Sequence, residues 1–88
     1  MYGDKSEMGE LLSEMEQAIC CNFAKAMKDR ELTQGMVGLV LDVPYQQVAK
    51  YMKGKNRITA GKLWMFSKAF GVPMNELMKM KSDRCPPP

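Results

Sequence analysis

Histidine is missing from all 88 residues, which removes the commonest general base and the commonest metal ligand together. No paired catalytic carboxylate motif and no phosphate-binding glycine loop stands in its place, so the chain is not expected to be an enzyme or to hold a cofactor or metal. Nor does any uninterrupted apolar run approach the roughly 18 residues that a membrane-spanning helix needs. The first sixteen residues carry acids where a secretory leader would place a basic stretch and then an apolar one, and the expected location is cytoplasmic. Cysteine is sparse and odd in number, at three. Cys20, Cys21 and Cys85 therefore argue against an extracellular disulfide framework, match no metal-ligand spacing, and are expected to be reduced thiols. Strand alternation and internal repeats are absent too.

What remains is helical signal in a length that admits one domain with one compact core. Met8, Leu12, Met15, Ile19, Phe23 and Met27 recur at spacings of three and four, the period of a long amphipathic first helix ending near Arg30. Its polar face runs from Glu7, Glu10, Glu14 and Glu16 to Lys25, Lys28 and Arg30, an order that complements the helix dipole. Thr33 is placed to cap a second helix from Gln34 to about Leu41, with Val37 and Leu41 inward. Gly35 and Gly38 each weaken it by roughly 1 kcal/mol relative to alanine, so packing must hold it, and a glycine facing another helix permits close approach. Pro44 suits the first turn of a third helix, with Val48 and Tyr51 inward and Gly54 at its end. Thr59 and Gly71 bracket a fourth helix from about Ala60 to Phe70. Met74 to about Met80 reads as a fifth, burying Leu77. The expected fold class is all-α: a compact five-helix bundle with an N-terminally extended first helix. Residues 1–13 form the extension, 14–81 the domain, and 82–88 a disordered proline-rich tail.

Charge is divided along the chain. Residues 1–31 hold seven acids against four bases, and residues 32–88 three acids against nine bases. Between Pro44 and Lys62 the bases Lys50, Lys53, Lys55, Arg57 and Lys62 meet no acid at all. That stretch would attract a polyanion. Glutamine presents a donor and an acceptor that match the N6 and N7 edge of adenine, and lysine donates to O6 and N7 of guanine; both occur at the exposed start of the third helix.

Three segments together resemble a known family. They are Leu32-Thr33-Gln34, then Val43-Pro44-Tyr45-Gln46-Gln47-Val48 through Lys50-Tyr51, and Lys53-Gly54-Lys55-Asn56-Arg57. With Leu63 and the run Phe66 to Pro73, they are similar to the XRE-type helix-turn-helix proteins, which include the lambdoid phage repressors and Cro. The resemblance covers residues 19–78. It implies a lambda-repressor-like helix-turn-helix fold and a bacterial or phage transcriptional regulator that reads double-stranded DNA through its third helix. Carried over residue by residue, it assigns base reading to Tyr45, Gln46, Gln47 and Lys50, and phosphate contacts to Gln34, Lys53, Lys55, Asn56 and Arg57. One recognition helix reads only a few base pairs, so a homodimer on a palindromic operator, most simply a repressor, is the expectation.

The departures from that pattern matter. Pro44 stands where a serine or threonine usually caps the third helix, so that helix starts one residue earlier or later. Gly38 replaces the usual alanine, and Asp42 holds a turn position usually given to glycine, which aspartate tolerates in the left-handed conformation. Met36, Leu39, Val40, Trp64 and Met65 sit where polar residues are usual, and a contiguous apolar patch usually meets something. The patch is expected to pack against Met8, Leu11, Leu12 and Met15 of the extension, from the same chain or a partner chain. An alternative function follows from it: an antitoxin-like protein-interaction module whose DNA binding serves autoregulation.

Overall fold

The computed structural model describes residues 5–80, with side chains from Leu12 onward. The expectations for the tail at 82–88 and for the side chains of Met8 and Leu11 lie outside those residues. The described chain is five helices in a single core: α1 (Lys5–Asp29), α2 (Gln34–Leu41), α3 (Tyr45–Lys53), α4 (Ala60–Phe70) and α5 (Met74–Leu77). α2 and α3 form the helix-turn-helix pair, α1 lies alongside α3 and α5, and α4 closes on α2 and α5.

Local chemistry sets most boundaries. α1 ends where Glu31 turns left-handed at φ 54°, so that the Leu32 amide returns to the Met27 carbonyl at 2.9 Å. Thr33 then accepts from the Met36 amide through its hydroxyl at 3.1 Å, satisfying one of the free donors of α2. Asp42 closes α2 at φ 59° and ψ 47°, the left-handed conformation that its short polar side chain tolerates. α3 starts one residue after Pro44, which is an extended cap with no side-chain hydrogen bond. The expectation of Pro44 as the first helical residue is thereby corrected, because its ψ of 154° lies outside the helical region. Thr59 caps α4 through the Lys62 amide at 3.2 Å, and Gly71 ends it at φ 68°.

The core joins all five helices. Phe23 and Met27 of α1, Val37 and Leu41 of α2, Val48 and Tyr51 of α3, Leu63 and Phe66 of α4 and Leu77 of α5 are buried, together with Val72. Phe23 is its hub: its ring stands 4.7 Å from that of Phe66 and edge-on to Tyr51 at 6.2 Å, separations at which aromatic pairs attract. Burying such a side chain stabilises the fold by about 1.5–3 kcal/mol. The inward stripe of α1 fades toward its start, from Phe23 and Met27 through half-buried Ile19 and Met15 to Leu12, which is exposed. The first half of the helix thus runs beyond the core it helps to build.

Two further expectations change. α5 stops at Leu77 and does not reach Met80, and the buried side chain of Asn22 donates to the carbonyls of both Leu77 and Lys79 at this end, at 2.8 and 2.9 Å. Those carbonyls are thus held from α1. Cys20 has a free thiol, as expected, whereas Cys21 is disulfide-bonded, against the expectation of a reduced thiol. No helix among the described residues is long and apolar enough to cross a membrane.

Candidate nucleic-acid interface

The angle between α2 and α3 is set by backbone against backbone. Gly38 is buried, its carbonyl accepts from the Val43 amide at 2.9 Å, and a Cβ on it would lie 2.7 Å from the Val43 oxygen. Only a residue without a side chain lets the turn return so closely over α2. Lys62 of α4 locks the same corner, because its ammonium donates to the Leu41 carbonyl at 3.0 Å and satisfies an orphan acceptor at the helix end. Lys62 is therefore engaged inside the fold and is not a free cation of the basic stretch.

From this corner α3 projects one polar face. At 100° per residue, Gln46, Lys50 and Lys53 fall within about 60° of one another, roughly opposite Val48 and Tyr51. The first three are exposed and the last two buried. Tyr45 joins the exposed set at the start of the helix. Gln47 does not: it is half-buried, and its Oε1 accepts from Asn56 Nδ2 at 3.1 Å. One residue assigned to base reading and one assigned to phosphate contact are thus tied to each other, bracing α3 against the turn that follows. The Gln47 amide nitrogen keeps its donors for an outside ligand.

The turn after α3 is built on one carbonyl. Gly54 turns left-handed at φ 76°, and the amides of Lys55 and Asn56 both return to the Lys50 oxygen, at 2.9 and 3.5 Å. Lys53 and Lys55 stand exposed on it. Gln34, at the start of α2, is half-buried beside α3, its amide nitrogen 3.9 Å from the Met52 sulfur. Arg57 is bound to an acid that sequence reasoning did not connect with it: its Nε donates to Glu16 Oε2 of α1 at 3.1 Å. Glu16 lies 41 positions away on the polar face of the first helix, and only the docking of α1 beside α3 brings the two together. Cys20, one turn further along α1, lies against Gly54. Burial, and then the nearby Glu16 carboxylate, raise its thiol above the ordinary value.

Most of the exposed apolar residues fall in two regions. Met36, Leu39, Trp64 and Met65 are exposed on α2 and α4, Leu39 at 86%, and Val40 is half-buried. Lys68 stands 5.7 Å over the Trp64 ring. Since α1 runs beside α3 and α5, its described residues do not cover this patch within the chain. Leu12 and Met15 instead line a groove of about 700 Å³ with Ile19, Leu63, Met74 and Met78. Among the described residues no group of three or more acids or cysteines is placed to hold a metal ion.

The sequence profile of the helix-turn-helix family matches residues 23–77, more than half of the chain. An uncharacterized HTH-type transcriptional regulator of Sinorhizobium fredii is 44% identical over 43 residues, which are 49% of this chain and 30% of that protein. The chain thus spans less than a third of the length of this curated relative. No solved structure matches.

Proposed function

Because this chain belongs to the XRE-type helix-turn-helix family of DNA-binding transcriptional regulators, we propose that it binds operator DNA in sequence-specific fashion, with α3 in the major groove. In this reading Tyr45, Gln46 and Lys50 read base edges, joined by the free donors of Gln47. Gln34, Lys53, Lys55, Asn56 and Arg57 hold phosphates. The observation that carries it is the outward stripe of Gln46, Lys50 and Lys53 on a helix fixed by the Gly38 corner and followed by a cationic turn. Planar amide and ammonium donors on that stripe suit the donor and acceptor pattern of the major groove, and the turn supplies charge without sequence preference. The reading extends to a cytoplasmic repressor that occupies a promoter as a homodimer on a palindromic site, with half-sites one helical turn apart on one face of the duplex. Sedimentation at micromolar concentration tests the dimer.

Reading and clamping are separable. On a site selected from a random duplex pool, Gln46→Ala or Lys50→Ala should cost about 1–3 kcal/mol, with little loss on random DNA. Lys55→Ala should weaken binding to every sequence alike and lower the salt slope by about one unit. Equal losses on selected and random DNA for Gln46→Ala and Lys50→Ala would remove the claim that α3 reads sequence.

The exposed Met36, Leu39, Trp64 and Met65 favour a second reading, an antitoxin-like module in which this patch binds another protein and DNA binding serves autoregulation. Recovery of a stoichiometric partner from the native host, lost on Leu39→Lys, would support it.

A further inference from the structure

We infer that Glu16 occupies Arg57 in place of a DNA phosphate and so acts as a built-in brake on DNA affinity. The inference rests on the DNA-binding reading above. Among the described residues there are two ion pairs, Lys25 with Asp29 within α1 and Arg57 with Glu16. The second joins α1 to the turn that presents Lys53 and Lys55 to solvent. It does so at the partner's expense: the Arg57 side chain is 77% exposed while that of Glu16 is 32% exposed. The guanidinium is therefore open to an incoming anion, and the carboxylate is the more enclosed member of the pair. Cys20, four residues on, lies against Gly54, so α1 also touches the turn one helical turn beyond Glu16.

A phosphate that reaches Arg57 meets a cation already neutralised by a carboxylate and must displace or share it. Two consequences follow. A cation that begins with its own intramolecular counter-charge replaces few condensed cations on the duplex in net terms, so Arg57 adds less to the salt dependence than the full value of about 0.9 per phosphate. The Glu16 charge also stays beside the phosphate once it is bound, and like charges at such range repel. The geometry leaves one opposing possibility with opposite sign. Only Nε is engaged, so Glu16 would support DNA binding if it aimed the outer guanidinium nitrogens at the backbone.

The test is equilibrium binding to a random-sequence duplex of about 20 base pairs across a salt series, which reports backbone contacts alone. Glu16→Gln keeps the side-chain volume and should bind several-fold tighter at low salt, with a slope steeper by up to about 0.9. Glu14→Gln removes the same charge from an exposed position nearby and should give a much smaller change. In an Arg57→Ala background, Glu16→Gln should gain no more than Glu14→Gln does. Circular dichroism checks that each variant is folded. Equal effects of Glu16→Gln and Glu14→Gln, or weaker binding by Glu16→Gln than by the unmodified chain, overturn the brake. Salt-insensitive binding or none by every folded variant overturns the DNA-binding reading first and the brake with it.

Discussion

Gly35 and Gly38 stand three residues apart in α2, and each lowers its helix propensity by about the same 1 kcal/mol. Their surroundings give them opposite meaning. Near Gly35, a Cβ would meet nothing closer than the Thr33 hydroxyl at 3.9 Å, whereas at Gly38 it would lie 2.7 Å from a backbone oxygen. Gly35→Ala should therefore stabilise the protein by a few tenths to about 1 kcal/mol, as the propensity scale expects. Gly38→Ala should reverse that sign and destabilise by about 1–3 kcal/mol, since backbone at the contact cannot rotate away as a side chain can. Denaturant midpoints of the two variants decide it, and a stabilised Gly38→Ala would mean that the corner is softer than its geometry implies. The sequence identifies both glycines and suggests close approach in general terms. It cannot say which of the two meets the turn, because that depends on the path of Asp42 to Tyr45 back over the helix.

At the scale of elements, α2 and α4 were legible almost to the residue because local groups set their ends: Thr33 and Asp42 for α2, Thr59 and Gly71 for α4. The start of α3 was legible only to within one residue, since Pro44 caps without a side-chain acceptor. α5 is the element that local reasoning overextends. Its apolar spacing continues through Met78, yet the helix ends at Leu77, where Asn22, 55 residues earlier, donates to the last carbonyl, and no periodicity encodes that contact. The same limit hid Glu16 from the candidate site, although both residues were singled out for charge. Asn22→Ala should leave the Leu77 carbonyl buried without its donor, at a cost of about 1–3 kcal/mol. Hydrogen exchange should show the amides at the end of α5, Met78 included, losing protection ahead of those in α2 and α3. Asn22→Asp should not rescue it, because a carboxylate cannot donate. Uniform loss across all helices would show instead that α5 has no separate dependence on this side chain.

Among the described residues, the division of charge along the sequence becomes a division in space with one crossing point. The acidic first helix and the basic turn after α3 meet where Glu16 reaches Arg57, and elsewhere the cations of the turn face solvent. The apolar residues beyond the core likewise separate into the α2 and α4 patch and the groove beside α1. The composition announced such surplus apolar residues, and the patch residues were identified from the sequence. Their expected cover was not found among the described residues, because the docking of α1 is decided by Phe23 and Met27 and not by the apolar positions before them.

The Gly38 corner also has a bearing on time. A turn packed backbone to backbone, with Lys62 across it and Gln47 braced by Asn56, holds α3 in one orientation before any ligand arrives. If α3 reads DNA as proposed, no slow folding or reorientation of this helix stands between encounter and capture, and the speed of capture is left to diffusion and electrostatic attraction. In stopped-flow mixing with duplex DNA, the observed rate should rise in proportion to DNA concentration and fall with ionic strength. A plateau at high DNA concentration would reveal an internal rearrangement that this rigid corner leaves no room for.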